Sequence, residues 1–259
     1  MILHFRVYLV VQALGLRWCF GRHGQNGPCV QDEQTRMRAA GRAQGKPLTT
    51  LIRQPEFLQF SAFGQGVLFG CDQDWFHGFW QRKAGCGPCT GSNILYYLSK
   101  SGRLSLPMEV KDRDSFIRLM EHSWEYLTPG VMGLNSPYMM QSGLDAMLAQ
   151  LGTGYVSRVL DIPANERERP DAATAEAFIR EGLAGDSPVA FLNLHNGNIS
   201  HLESWHWVTV VGITGAGDSA ELDIYDNGHR LKVSLPQWLQ TTRRGGGFVY
   251  VVDSGSGAA

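Results

Sequence analysis

Apolar residues recur at helical spacing through the middle of the chain, and after Pro188 they change to short β-rich runs. A helix is predicted from near Pro88 through Asn93, Leu95 and Leu98 to Lys100, with Gly102 as its stop. A second spans Asp112 to Tyr126, with Phe116, Ile117, Met120 and Trp124 on one face and Pro129-Gly130 behind it. The third takes Ser136 as N-cap and Pro137 as its first residue, and carries Met140, Leu144, Met147, Leu148 and Leu151 inward. The fourth, Asp171 to Leu183, turns Ala175, Phe178, Ile179 and Leu183 inward. Strands are predicted at Val189–Leu194, His206–Ile213, Glu221–Tyr225, Arg230–Val233 and Gly247–Val252, with one brief helix near Leu235 to Gln240. The tight turn Asp226-Asn227-Gly228 makes the sheet antiparallel. Helices first and an antiparallel sheet second predict an α+β protein.

The chain ends are different in character. Residues 1–65 read as a poorly ordered or leader-like segment: a short apolar run from Val7 to Leu16 gives way to Arg17 and Trp18, and then to a tract of Gly, Gln and Arg. The folded domain is expected over residues 66–253, and the Gly-Ser-Gly stretch at 254–259 reads as a flexible tail.

Composition narrows the function. The 259 residues carry 23 Lys+Arg against 24 Asp+Glu, which removes the electrostatic footprint of a nucleic-acid binder. No window holds the uncharged apolar run of a spanning helix, so no integral membrane segment is expected. The five cysteines, Cys19, Cys29, Cys71, Cys86 and Cys89, are odd in number and irregularly spaced. They match neither a disulfide framework nor a zinc site, and no metal or other cofactor is expected. Free thiols and the poor match to a signal peptide point to the cytoplasm.

The candidate chemistry begins at Gly85-Cys86-Gly87-Pro88-Cys89-Thr90-Gly91, just ahead of a helix. A helix N-terminus offers unsatisfied N–H groups and a dipole that favour an anion, so a thiol there is a candidate nucleophile. Such a thiol needs a base, and the base needs a partner that fixes its tautomer. His206 opens a strong strand, and Asp226 ends the next one, twenty residues later. Adjacent antiparallel strands can bring the two side by side. Asn227 is the neighbouring alternative to Asp226. The aromatic cluster Trp75, Phe76, Phe79 and Trp80 fits either a core or a groove.

Cys-Gly-Pro at a helix start, followed by His-Trp-Val-Thr-Val-Val-Gly and by Ile-Tyr-Asp-Asn-Gly, resembles the papain-like cysteine peptidases, and within them the bacteriocin-processing leader peptidases. The resemblance runs over about residues 66–253. It implies a papain-like fold, with an N-terminal helical lobe packed on a C-terminal antiparallel sheet and a cleft between them. It implies Cys86 as nucleophile, His206 as general base and acid, and Asp226 as the residue that orients His206. It also implies a glutamine as oxyanion donor upstream of the nucleophile: Gln81 by spacing, with Gln73 as the alternative. The expected activity is peptide or amide hydrolysis through an acyl-enzyme. The register with Cys89 as nucleophile stays open. Two other classes also remain. Cys86-Gly87-Pro88-Cys89 is similar to the active-site tetrapeptide of thioredoxin-like oxidoreductases, and a papain-like domain without turnover would act as a peptide-binding module.

Overall fold

The computed structural model describes residues 48–62 and 66–257. Two helices meet at Gly85: α1 (Phe79–Ala84) and α2 (Cys86–Lys100). The second starts at Cys86, two residues ahead of the predicted Pro88. Pro88 thereby falls in the first turn, where its missing N–H interrupts no helical bond. The next three helices begin within one residue of their expected starts. Asp112 accepts from Ser115 N at 2.8 Å ahead of α3 (Arg113–Tyr126), and Ser136 caps α4 (Pro137–Gln150) with Pro137 as first residue. Asp171 accepts from Thr174 N at 2.7 Å ahead of α5 (Ala172–Ala184). Leu235–Thr241 forms α6.

The strands among the described residues are β1 (Thr49–Leu51), β2 (Gln59–Ala62), β3 (Gly66–Phe69), β4 (Tyr155–Ile162), β5 (Val189–Asn193), β6 (His206–Thr214), β7 (Glu221–Asp226), β8 (His229–Ser234) and β9 (Gly246–Asp253). Seven of them form an antiparallel sheet in the order β4-β9-β5-β6-β7-β8, with β1 joined to the far half of β6. The α+β class is as expected. The β4 strand was not predicted, and it places one sheet edge among the helices in sequence. Strands β2 and β3 pair as a separate hairpin.

Alternate residues of the sheet face two helical layers. Ala190, Leu192, Trp207, Val249 and Val251 pack with Ile94, Leu95 and Leu98 of α2 and with Met140, Leu144, Met147 and Leu148 of α4. Their neighbours Val189, Phe191, Val208, Val210, Phe248 and Tyr250 pack with Ala175, Ile179 and Leu183 of α5 and with Trp238 of α6. The predicted helices therefore do not form one lobe. Helix α5 lies on the opposite face from α2 and α4, and the sheet is covered on both sides.

The domain begins earlier than residue 66. Leu48 onward belongs to one compact unit, in which Ile52 and Leu58 are fully buried and Ile52 N donates to Val211 O at 3.1 Å. This corrects the expectation for residues 48–62. The leader-like reading of residues 1–47, with Cys19 and Cys29, lies outside the described residues. Residues 254–257 of the expected flexible tail form a short 3-10 helix, with Ser254 N bonded to Gly154 O at 2.7 Å, and residues 258–259 lie outside the described residues. No helix among the described residues is long and apolar enough to cross a membrane.

Candidate active site

Cys86 is the first residue of α2. Its neighbours are glycine because the space beside them is filled. A Cβ at Gly85 would stand 2.4 Å from Gln81 O, and one at Gly87 would stand 2.7 Å from the Leu134 side chain. The chain on both sides of the thiol is therefore held close to its surroundings. The first N–H groups of the helix are free of intrahelical bonds beside the sulfur.

His206 opens β6; its imidazole is hydrogen-bonded to Asp226 and interacts electrostatically with the nearby Cys86 thiol. Nε2 donates to Asp226 Oδ1 at 2.7 Å, which leaves Nδ1 for the sulfur. The sheet register explains the contact. Thr209 pairs with Tyr225, so the register continued by one residue sets Asp226 opposite Val208, a diagonal step from His206 on the same face. The His206 and Asp226 side chains are 6% and 9% exposed, so the ion pair is shielded from water. Burial by itself would hold the imidazole's pKa down. The hydrogen bonds and charges of Asp226 and Cys86 oppose it, and His206 is pushed up to about 10.

The turn after Asp226 is the predicted tight one. Asn227 and Gly228 have φ of 44° and 77°, the left-handed pair of a two-residue hairpin, and Asp226 pairs with His229 across it. Asn227 does not replace Asp226. Its Oδ1 accepts from Gln73 N at 3.3 Å and ties the upstream loop to the turn.

The two glutamines part company. Gln81 lies in α1 with both ends of its carboxamide engaged: Oε1 accepts from Gly78 N at 3.0 Å, and Nε2 donates to Glu121 Oε2. It closes the start of its own helix, and neither bond involves Cys86 or His206. Both ends of the carboxamide expected to serve as oxyanion donor are thus engaged elsewhere. Gln73 is anchored at the Asp226 turn, and its Oε1 is buried without a hydrogen-bond partner.

The two candidate thiols also differ. Cys89 is buried against Cys71, whose Sγ donates to Cys89 O at 3.4 Å. Burial first, then the hydrogen bond and charge of Cys71, push the Cys89 thiol well above the usual range. Cys86 is partly exposed. Of the aromatic cluster, Trp75 and Phe76 are core, whereas Phe79 and Trp80 are exposed on α1.

Two neighbours of the site have no signal in the sequence. Asn193 is in register with His206, fully buried, and donates from Nδ2 to Glu203 O at 2.6 Å while its Oδ1 has no partner. Trp205, directly before His206, has φ of 59°, a region bulky side chains rarely enter. No group of three or more His, Cys, Asp or Glu side chains among the described residues is arranged to hold a metal ion. In comparisons with known proteins, no family model and no curated protein matches the chain.

Proposed function

We propose that this protein is a thiol-dependent peptidase or amidase of papain-like type that works through an acyl-enzyme. The observation that carries the reading is the buried His206–Asp226 hydrogen bond, set beside a thiol at a helix N-terminus. Asp226 fixes the ring by accepting from Nε2 and keeps the imidazolium proton on Nδ1, facing the Cys86 sulfur. The sulfur attacks a carbonyl carbon. Charge that develops on the carbonyl oxygen is met by the free N–H groups at the start of α2, with Gln73 as the candidate side-chain donor. His206 then protonates the departing amine, and water releases the acyl group from Cys86.

The competing use of these residues is dithiol exchange between Cys86 and Cys89. The burial of Cys89 against Cys71 opposes it, because a resolving thiol must be accessible. His206 and Asp226 would also have no role in it.

The test is cleavage of a mixed-sequence peptide library, followed by mass spectrometry, for the wild type, Cys86→Ala and His206→Ala. Cleavage by the wild type and its loss in both variants, with the folds intact, is the expected result. Equal turnover by Cys86→Ala would sink the reading.

A further inference from the structure

The flank of the site beside the imidazole carries a cation that the chemistry above does not use. Arg244, in the loop between α6 and β9, lies over the exposed indole of Trp205, with its guanidinium carbon 5.4 Å from the ring centroid. Asn193 pairs with both His206 and Gly246, so the ends of β6, β5 and β9 form one row across the sheet. Trp205 and Arg244 both leave the sheet beyond that row. The loop is fixed there: Leu194 N donates to Gly245 O at 3.0 Å, and Gly245 N donates to Thr242 Oγ1 at 3.2 Å.

Three arginines of the fold are paired with carboxylates, Arg103 with Asp186, Arg180 with Glu176 and Arg230 with Asp223. Among the described residues no carboxylate pairs with Arg244. An aromatic face holds a guanidinium in place without consuming its N–H fork, which stays free for an oxyanion.

We propose that Arg244, held on Trp205, recognises a carboxylate on the amine half of the substrate. The inference rests on the acyl-transfer reading of Cys86 and His206. In that reaction the Cys86 sulfur bonds to the carbonyl carbon, the C–N bond breaks, and the electron pair stays on nitrogen, which takes a proton from His206. The departing nitrogen must therefore lie at His206, and the groups that adjoin His206 flank the amine half rather than the acyl half. A carboxylate reaches that position in two ways: as the α-carboxylate of a C-terminal residue, or as an Asp or Glu side chain.

The experiment uses three substrate pools that share a randomised acyl residue and release glycine, glycinamide or aspartamide. Arg244→Gln is expected to lower kcat/KM about tenfold on one or both anionic pools, as for loss of one charge-assisted pair, and to leave the glycinamide pool unchanged. The pool that responds identifies the carboxylate. Arg243→Gln, which alters surface charge next door, is expected to change none of the three. An equal effect of Arg244→Gln on all pools, or no effect, overturns the proposal. A second readout needs no turnover: the ratio of Cys86 alkylation rates by iodoacetate and by iodoacetamide. Arg244→Gln is expected to lower this ratio roughly two- to fivefold, and an unchanged ratio overturns the proposal. If Cys86 reacts with neither reagent, it is the acyl-transfer reading beneath the proposal that fails.

Discussion

Asn93 donates from Nδ2 to Thr209 Oγ1 at 3.0 Å, and this buried bond sets the helix of the thiol against the strand of the imidazole. Asn93 is seven residues into α2 from Cys86, a rise of about 10 Å, and Thr209 is three residues along β6 from His206, also about 10 Å. Asn93 Oδ1 also accepts from Cys71 N at 3.0 Å, so the whole amide is in use. Asn93→Ala leaves the Cys71 N–H and the Thr209 hydroxyl unpaired in the core. The expected cost is roughly 1–3 kcal/mol of stability for each group left unsatisfied. Urea unfolding measures this loss, and slower Cys86 alkylation in the still-folded fraction would show that the bond also sets the site.

The pH dependence follows from the shared proton of His206. Its pKa is raised from an unfolded value near 6.5 to about 10, so the folded state binds a proton that the unfolded state has released. The stabilisation is complete below pH 6.5, declines as pH rises, and is gone once pH passes through about 10. Asp226→Asn removes the charge while keeping a side chain that can still bond to the ring. Wild type is expected to exceed this variant in stability at pH 6, with the gap narrowing steadily towards pH 10. Urea midpoints measured at half-unit pH intervals check it, and a gap that widens with pH would contradict the assigned proton. In a peptide cleavage assay, kcat/KM is expected to fall above about pH 10, where no proton remains for the leaving amine.

What the sequence revealed were features written at element ends. Asp112, Ser136-Pro137 and Asp171 announced three helices, and Asn227-Gly228 announced the hairpin that places Asp226. Cys86, His206 and Asp226 were legible for the same reason: each sits at a terminus with its own local signature. What escaped depends on partners far along the chain. The burial of β4 does not alternate cleanly, and its buried Ser157 is satisfied by Asp145 of α4, to which its N and Oγ donate at 2.7 and 2.6 Å. Amphipathicity showed which side of α5 turns inward but not which face of the sheet it covers. Spacing favoured Gln81 because spacing does not see Glu121, forty residues away. The left-handed Trp205 carries no glycine or asparagine to announce it.

The three described cysteines should separate by reactivity. Cys71 and Cys89 are 3% and 5% exposed and lie against each other, and Cys89 is held as a thiol by burial, whereas Cys86 is partly exposed beside His206. Brief iodoacetamide treatment at pH 7 is expected to label Cys86 alone of the three, with Cys71 and Cys89 labelled only in denaturant. Peptide mapping by mass spectrometry reads each site. Labelling of Cys89 at a rate near that of Cys86 would mean that the α2 start opens in solution and would return the dithiol reading to contention.

Gln73 and Gln81 give the sharpest contrast, since the same substitution at each should have opposite signatures. Gln81 satisfies the Gly78 N–H at the start of α1 and bonds to Glu121 across to α3, so Gln81→Ala should lower stability by about 1 kcal/mol and leave kcat/KM on a cleaved peptide within a factor of about two. Gln73 makes no cap with its side chain; its backbone N–H is tied to Asn227 of the Asp226 turn, and its side-chain Oε1 is buried. Removing one donor from an oxyanion site costs roughly 100- to 1000-fold in kcat. Gln73→Ala is therefore expected to reduce kcat by about that factor, with KM and the Cys86 alkylation rate little changed, because alkylation develops no oxyanion. Slowed alkylation in Gln73→Ala would assign Gln73 to holding the Asn227 turn and His206 in place, and a fall in kcat with Gln81→Ala alone would restore the donor that spacing favoured.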